Sequence, residues 1–207
     1  MPARMLGRLT AFPLAFALLL TGGLTGCASR GPAQVETQIF AMDTVMSLAL
    51  YGEDQTSLQG TLDGLVGTIY QLQNTLSVTD EASELSALNR SAGQPVSLSA
   101  QTEEVLSAAL ELCALTGGAL DLTAYPAVKA WGFTTGEYRL PGAAELTELA
   151  QHIDYTQLQL DSFAHTACLP QGMEADLGAV AKGYAGDVLA GQLEQAGVTS
   201  ALLDLGQ

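Results

Sequence analysis

Residues 176–187 read Asp-Leu-Gly-Ala-Val-Ala-Lys-Gly-Tyr-Ala-Gly-Asp, and they lead into a helix that we predict over residues 179–195. Backbone N–H groups in the first turn of a helix have no intrahelical acceptors, and together with the helix dipole they attract anions. Lys182 adds a positive charge that suits phosphate. The segment therefore indicates an anion-binding helix start. The alternative interpretation is an ordinary N-cap at Asp176 and a solvated Lys182.

Hydrophobic spacing along the rest of the chain predicts both strands and helices. Alternating apolar residues within 38–51 are typical of a strand, and leucines at helical spacing predict a helix over residues 56–76. Three glycines weaken that helix, and we expect close packing at the glycines to compensate. Further strands are predicted at 96–98, 157–161, 165–169 and 200–205, and further helices at 100–115, with Ser99 as N-cap and Gly117-Gly118 as the stop, and at 143–152.

The order of these elements predicts the fold class. One strand, then helices, then strands is typical of an α+β fold rather than of regular strand–helix alternation. The chain contains no GxGxxG and no Walker A motif, so a Rossmann or P-loop fold has little support. A length of 207 residues fits one sizeable domain or part of a larger one.

Composition narrows the function classes. The chain has 22 Asp+Glu against 7 Lys+Arg, a net charge of −15, which argues against binding to the nucleic-acid backbone. A hydrophobic content of 48% is too high for a disordered chain. Three cysteines without a CxxC spacing indicate neither a zinc site nor a disulfide framework. Cys113 lies on an apolar helical face, which favours a buried free thiol over a disulfide with Cys168.

The N-terminus has the features of an export signal. Arg4 and Arg8 precede a short apolar run, and Leu24-Thr-Gly-Cys27 resembles a bacterial lipobox, whose cysteine becomes the lipidated first residue. We predict a signal peptide over 1–26, a lipid anchor such as palmitate at Cys27, a tether over 27–37 and the enzyme domain over 38–207. The alternative is a plain secretory signal. Removal of the signal leaves 5 Lys+Arg against 22 Asp+Glu, a net charge of −17, so lipid rather than surface charge must supply the membrane attachment.

Three further segments carry residues that are suited to ligand binding. They are Ala41-Met-Asp-Thr44, then Leu76-Ser-Val-Thr79 with Ser83-Glu-Leu-Ser-Ala-Leu-Asn89, and then Gly117-Gly-Ala-Leu-Asp-Leu-Thr123 with Trp131-Gly-Phe133. Taken singly, each segment is equally well explained as a turn, a cap or a core aromatic. Their joint order, followed by residues 176–187 and by Leu203-Asp-Leu-Gly206, is more specific than any one of them.

In this joint order the chain resembles the ApbE family of flavin transferases, the FAD:protein FMN transferases, from about residue 38 to the end. The resemblance implies a T-fold-related α+β domain. It also implies that the protein binds FAD and, with Mg²⁺, transfers FMN to a threonine hydroxyl of an acceptor flavoprotein, releasing AMP. Acceptors in such a family include respiratory redox-pump subunits. The implied location is the extracytoplasmic face of a bacterial membrane, reached through the lipid anchor.

The resemblance also implies site residues. Met42 would contact the flavin, and Thr79 stands where many members have a flavin-contacting tyrosine. Another part of FAD would be held by Ala119, Leu120 and Asp121, and the region of the pyrophosphate by Asp176 and Lys182. The backbone carbonyl of Ala179 would bind Mg²⁺. No catalytic side chain is assigned.

Some features of the chain depart from the family pattern. Asp43 stands where glycine is frequent, and the chain has Leu205-Gly206-Gln207 where Leu-Gly-Gly is usual. Family members continue well beyond this point with an Asp and a Thr that complete the metal site. We therefore expect an incomplete domain that is inactive by itself. The alternative functions are an FAD pyrophosphatase that yields FMN and AMP, and a non-catalytic flavin-binding lipoprotein.

Overall fold

A β-hairpin begins the computed structural model, which describes residues 31–206. Strand β1 (Ala33–Ala41) pairs antiparallel with β2 (Thr44–Gly52), where the sequence predicted a single strand. The two-residue turn between them has φ angles of 49° at Met42 and 57° at Asp43, as in a type I′ turn. The strand β1 takes in part of the segment predicted as a tether. The predicted signal peptide over 1–26 and the predicted lipidation site Cys27 lie outside the described residues.

The first layer is a three-stranded antiparallel sheet covered by one long helix. Its strand order is β1-β2-β6, with β6 (Ser200–Asp204) at one edge. Helix α1 (Gln55–Leu76) buries one leucine-rich stripe, as its spacing predicted. The expectation about its glycines is wrong, because a Cβ added at Gly60, Gly64 or Gly67 would meet no atom within 4 Å. Burial of the leucine stripe therefore stabilises α1 without help from those positions.

The second layer contains a small sheet and two helices. Strands β3 (Val96–Ser97), β4 (Gln159–Asp161) and β5 (Thr166–Cys168) form an antiparallel sheet in the order β3-β5-β4. Helix α2 (Glu84–Asn89) precedes β3, and α3 (Ala100–Leu115) follows it. The predicted boundaries of α3 are confirmed. Ser99 accepts a hydrogen bond from the Thr102 N–H, and Gly117 and Gly118 have φ angles of 61° and 81° at its C-terminal end.

The remaining elements are three helices and three 3₁₀ turns. Helices α4 (Tyr125–Ala130) and α5 (Ala143–Leu149) are short, and α6 (Gly178–Gln195) is long. The 3₁₀ turns are Leu122–Ala124, Ala150–His152 and Tyr155–Gln157, so the helix predicted over 143–152 is α5 followed by a 3₁₀ turn. The α+β class is confirmed. None of the described helices is both long and apolar enough to cross a lipid bilayer.

Helix α6 joins two hydrophobic cores. Its residues Ala181 and Ala185 are buried in the core around α3 and the small sheet. One and two turns further on, Leu189 and Leu193 are buried in the core between α1 and the β1-β2-β6 sheet. The N-terminal end of α6 is therefore fixed in relation to both layers. Cys113 in the first of these cores is fully buried, and neither it nor the half-buried Cys168 is in a disulfide, as predicted.

Candidate functional site

Hydrogen bonds at Asp176 and Gly178 hold the segment before α6 in place. The Asp176 N–H donates to the Leu122 carbonyl over 2.8 Å, and one Asp176 carboxylate oxygen accepts from the Gly178 N–H over 2.9 Å. Leu177, the N-cap by position, has no side chain that caps the helix. Asp176 thus satisfies one first-turn N–H, as the capping interpretation expected, and it also faces two cavities described below.

The larger cavity is an open cleft of about 740 Å³. One wall is the hairpin turn at Met42 and Asp43, and another is the C-terminal end of α1 with residues 77–80. The third wall is the start of α6, and the mouth lies beside Phe133 and Thr134. The lining residues are Phe40, Met42, Asp43, Gln73, Asn74, Leu76, Ser77, Val78, Thr79, Asp80, Phe133, Thr134, Asp176, Gly178, Ala181 and Lys182. The volume lies within the usual range for a small-molecule or cofactor site, roughly 300–1,000 Å³.

Lys182 is the positive charge of this cleft. It lies one turn into α6 and is half-buried. The other Lys and Arg side chains of residues 31–206 have protein partners, since Arg90 donates to the Glu81 carbonyl, Lys129 pairs with Glu174 at 2.5 Å, and Arg139 pairs with Glu145. In this part of the chain Lys182 alone has no such partner. Its ammonium group, close to the N-terminal end of α6, is therefore available to an anion.

The smaller cavity, of about 180 Å³, lies on the other side of Asp176. Leu120, Asp121, Tyr125 and Ala179 line it together with Asp176. Burial raises the pKa of the Tyr125 phenol, so this hydroxyl is neutral at physiological pH and can donate a hydrogen bond. Asp176 is thus the residue that the two cavities share.

Asp121 is largely occupied by the protein itself. One of its carboxylate oxygens accepts from the Thr123 N–H at 2.8 Å and from the Thr123 hydroxyl at 2.6 Å, and the other accepts from the Tyr155 N–H at 3.0 Å. This carboxylate fixes the turn before α4 and the 155–157 turn in one arrangement. Ala119 is exposed in the preceding turn and lines neither cavity.

The predicted site residues therefore fall into two groups. Met42, Thr79, Asp176 and Lys182 come together in the larger cleft, although they are separated by up to 140 positions along the chain. Leu120, Asp121 and Ala179 lie around the smaller cavity. The Met42 N–H donates to the Gln73 side-chain oxygen over 2.8 Å, which fixes the hairpin turn against α1.

Two aromatic side chains of the cleft were not among the predicted site residues. Phe40 and Phe133 line the cleft while remaining 65% and 61% exposed. Phe133 stacks on Trp131 with ring centroids 6.4 Å apart, and the sequence did single out this Trp-Gly-Phe segment. Phe40 had one usable signal, since it continues the outward-facing series Gln34, Glu36 and Gln38 on β1, where an apolar side chain is out of place.

The candidate metal ligands around the smaller cavity are oxygen atoms. Within residues 31–206, no group of three or more His, Cys, Asp and Glu side chains is arranged to hold a metal ion. The carboxylate of Asp176 and the backbone of Ala179 lie around the same small cavity. Carboxylate and carbonyl oxygens are the ligands that Mg²⁺ prefers. The described residues therefore fit part of a Mg²⁺ site and do not complete one.

Comparisons with known proteins agree with one another. The family model described as the ApbE family matches residues 42–207. The chain is 31% identical over 157 residues to the FAD:protein FMN transferase of Vibrio cholerae, covering 74% of this chain and 46% of that protein. It is 28% identical over 193 residues to the FAD:protein FMN transferase of Treponema pallidum, covering 89% and 53%. The chain thus spans about half the length of the curated relatives it matches.

Solved structures give the same result for the fold. The flavin transferase ApbE of Vibrio cholerae has a TM-score of 0.74 at 28% identity, over 84% of this chain and 58% of that one. The ApbE protein of Thermotoga maritima has a TM-score of 0.75 at 25% identity, over 79% and 53%. Because the family model covers most of the chain and these structures share its fold, the chain belongs to the ApbE family.

Proposed function

We propose that the protein takes part in FMN transfer from FAD to a threonine hydroxyl of an acceptor protein, with release of AMP. The observation that carries this proposal is the arrangement around Asp176 and Lys182. A helix start and an unpaired ammonium group meet at the base of a cleft of suitable size for a dinucleotide. Curated relatives that are 31% and 28% identical to the chain are named FAD:protein FMN transferases.

Different residues of the cleft would bind different parts of FAD. Lys182 and the N-terminal end of α6 attract the pyrophosphate, whose negative charge matches the helix dipole and the ammonium group. Met42 and the rings of Phe40 and Phe133 offer an apolar surface to the flavin. The turn at Ala119 and Leu120 would contact another part of FAD, next to Asp121, whose three hydrogen bonds fix the turns at Thr123 and Tyr155.

The chemical step is a phosphoryl-type displacement. The acceptor hydroxyl oxygen forms a bond to the phosphorus on the FMN side, the bond from that phosphorus to the bridging oxygen breaks, and AMP leaves with that oxygen. The hydroxyl proton is released, and no side chain of residues 31–206 is assigned as its acceptor. Such transfers depend on positioning and on stabilisation of the developing negative charge, so Lys182 and the fixed start of α6 have the central roles.

Mg²⁺ is part of this proposal. When bound, it neutralises charge on the pyrophosphate and favours departure of AMP. Asp176 and the Ala179 carbonyl are the residues of this chain that are suited to hold it, and we place the remaining ligands outside residues 31–206. Support comes from the position of Asp176 and Ala179 around one cavity, since carboxylate and carbonyl oxygens are the ligands that Mg²⁺ prefers.

Location and acceptor are also proposed. The lipobox-like Leu24-Thr-Gly-Cys27 supports export with a lipid anchor at Cys27, which would place the cleft on the extracytoplasmic face of the membrane. An acceptor at that face, such as a flavoprotein subunit of a respiratory redox pump, would meet the cleft there. Labelling of the exported protein with radioactive palmitate, and loss of the label in Cys27→Ala, tests the anchor.

The function is tested with the complete gene product, FAD, Mg²⁺ and a candidate acceptor protein. We expect a covalently fluorescent acceptor band in a denaturing gel and one AMP released for each FMN attached. Replacement of the acceptor threonine by valine should remove the band. Release of free FMN without a labelled acceptor would instead indicate an FAD pyrophosphatase, and absence of FAD binding would contradict both functions.

A further inference from the structure

The short helix α2 is hydrogen-bonded to two segments of the cleft region, residues 77–80 and the segment before α6. It belongs to the segment Ser83-Glu-Leu-Ser-Ala-Leu-Asn89, none of whose residues lines either cavity. Its two leucines, Leu85 and Leu88, are fully buried, so the helix is a fixed part of the core. Polar side chains at its two ends form hydrogen bonds to two different segments, one at Ser77 and one at Ala175.

The C-terminal end of α2 holds the segment before α6. The Asn89 side chain donates to the Ala175 carbonyl over 2.9 Å and accepts from the Ala175 N–H over 2.7 Å. One side-chain amide thus pairs with both backbone groups of a residue that lies 86 positions away. Two hydrogen bonds from one planar group fix the orientation of this peptide segment as well as its position.

The orientation of Ala175 sets the orientation of Asp176. Residues 173–177 belong to no helix or strand, so neither type of backbone ladder defines their path. Ala175 is fully buried, and the next N–H, that of Asp176, is tied to the Leu122 carbonyl. With these bonds in place, the Asp176 carboxylate lies between the two cavities and accepts from Gly178.

The N-terminal end of α2 is hydrogen-bonded to the segment 77–80 of the cleft lining. The Ser83 and Ser86 hydroxyls both donate to the Ser77 carbonyl. The Ser77 hydroxyl oxygen in turn accepts from the Thr79 and Asp80 N–H groups at 3.2 and 3.0 Å. Residues 77–80 line the larger cleft. The helix α2 therefore fixes residues 77–80 in relation to the segment before α6.

We infer that Asn89 is a positioning residue for Asp176 and that it raises FAD affinity by holding the Asp176 carboxylate in the orientation in which, under the proposed function, it would hold the Mg²⁺ that neutralises the pyrophosphate. The inference rests on the proposed function in one respect, the identity of the ligand. Asn89 itself lines neither cavity, so it acts through the backbone of Ala175.

The test is a double-mutant cycle in the complete gene product, with FAD affinity measured by flavin fluorescence in the presence of Mg²⁺. Asn89→Ala should weaken FAD binding about tenfold, because the Asp176 carboxylate is no longer held in place. In an Asp176→Ala background the same change should alter the affinity less than about twofold. Equal effects in the two backgrounds would overturn the inference, as would an unchanged affinity in Asn89→Ala.

A matched control separates positioning from general loss of stability. Gln192 is also a half-buried side-chain amide with two hydrogen-bond contacts, at 2.9 and 3.2 Å to the Thr68 hydroxyl, but it joins α1 to α6 away from the cleft. Gln192→Ala should lower the melting temperature and leave FAD affinity unchanged. An equal loss of affinity in Gln192→Ala would overturn the inference.

A second variant covers the case in which Asn89→Ala does not fold. Asn89→Asp keeps an acceptor for the Ala175 N–H and loses the donor to the Ala175 carbonyl, so its FAD affinity should also fall. Wild-type affinity in Asn89→Asp would overturn the inference. A wild-type protein that does not bind FAD would contradict the proposed function itself, whereas wild-type binding with unaffected Asn89 variants would contradict this inference alone.

Discussion

At the scale of single residues, Lys182 carries the electrostatic part of the proposed FAD site. It is the one Lys or Arg of residues 31–206 without a protein partner, in a chain whose net charge is −15. Because the surrounding charge is mainly negative, a local ammonium group and a helix start are needed to hold a pyrophosphate. This makes the contribution of Lys182 measurable against a lysine that is already paired.

Lys182→Ala is predicted to weaken FAD binding by about 2 kcal/mol, roughly thirtyfold, because a charge-assisted hydrogen bond to phosphate is lost. Lys129→Ala is the matched control, since Lys129 pairs with Glu174 and lines neither cavity. Isothermal titration with FAD measures both variants. An affinity loss in Lys129→Ala as large as in Lys182→Ala would contradict the assignment of Lys182.

Some site residues were predictable from the sequence and others were not. A local pattern drew attention to Asp176 and Lys182, because a helix start has defined electrostatics wherever it occurs, but that pattern also fits an ordinary N-cap and a solvated lysine, and their roles came from the resemblance. Met42 and Thr79 came only from the resemblance, since a methionine and a threonine carry no chemical signal of their own. Phe40 was missed because the cleft that it lines also includes the start of α6, which lies far away in the sequence.

At the scale of elements, the long helices were predictable because their spacing repeats over several turns. Helix α1 has six buried leucine and isoleucine positions at helical intervals. Helices α2 and α4 have six residues each, too few for a period to be visible. The hairpin turn was missed because Met42 is an unusual residue at a positive φ angle, where glycine, asparagine or aspartate is the usual signal.

Glycine substitutions test the account of helix α1. Gly64→Ala is predicted to stabilise the protein by about 1 kcal/mol, because Gly64 is exposed within the helix and an added Cβ meets no atom within 4 Å. The same change at Gly118, with φ at 81°, is predicted to destabilise by at least about 1 kcal/mol. Urea unfolding measures both. A destabilised Gly64→Ala would show that α1 needs its glycines for packing.

The contact between α3 and the β4–β5 turn gives a pH-dependent prediction. A hydrogen bond with His165, at 2.7 Å, and a second with Ser162 hold the pKa of Glu103 below its usual range. A lowered pKa stabilises the fold above the unfolded-state pKa, and this contribution is lost as the pH falls through the folded-state value. The melting-temperature difference between wild type and Glu103→Gln should therefore shrink below about pH 4.5.

The control for this prediction lies on the same helix. Glu111 is exposed on α3, so Glu111→Gln should leave the melting temperature close to that of the wild type at every pH. A difference between wild type and Glu103→Gln that stays constant from pH 7 to about pH 3 would contradict the role of the Glu103 carboxylate.

At the scale of the whole molecule, α6 connects two cores and presents its first turn between two cavities. The chain spans about half the length of the curated relatives it matches, and the donor set for Mg²⁺ among residues 31–206 is partial. We therefore predict that residues 1–207 expressed alone transfer no flavin, and that transfer requires the further metal ligands proposed above. A fluorescent acceptor band from residues 1–207 alone would contradict this prediction.

The central claim is that the start of α6, with Asp176 at its base, forms the FAD pyrophosphate site of a flavin transferase. The most direct measurement is the covalent flavin fluorescence of an acceptor protein after incubation with FAD, Mg²⁺ and either wild type, Asp176→Ala or the control Gln192→Ala. We predict a fluorescent acceptor band with wild type and Gln192→Ala and none with Asp176→Ala. A band of wild-type intensity with a folded Asp176→Ala protein would contradict the claim.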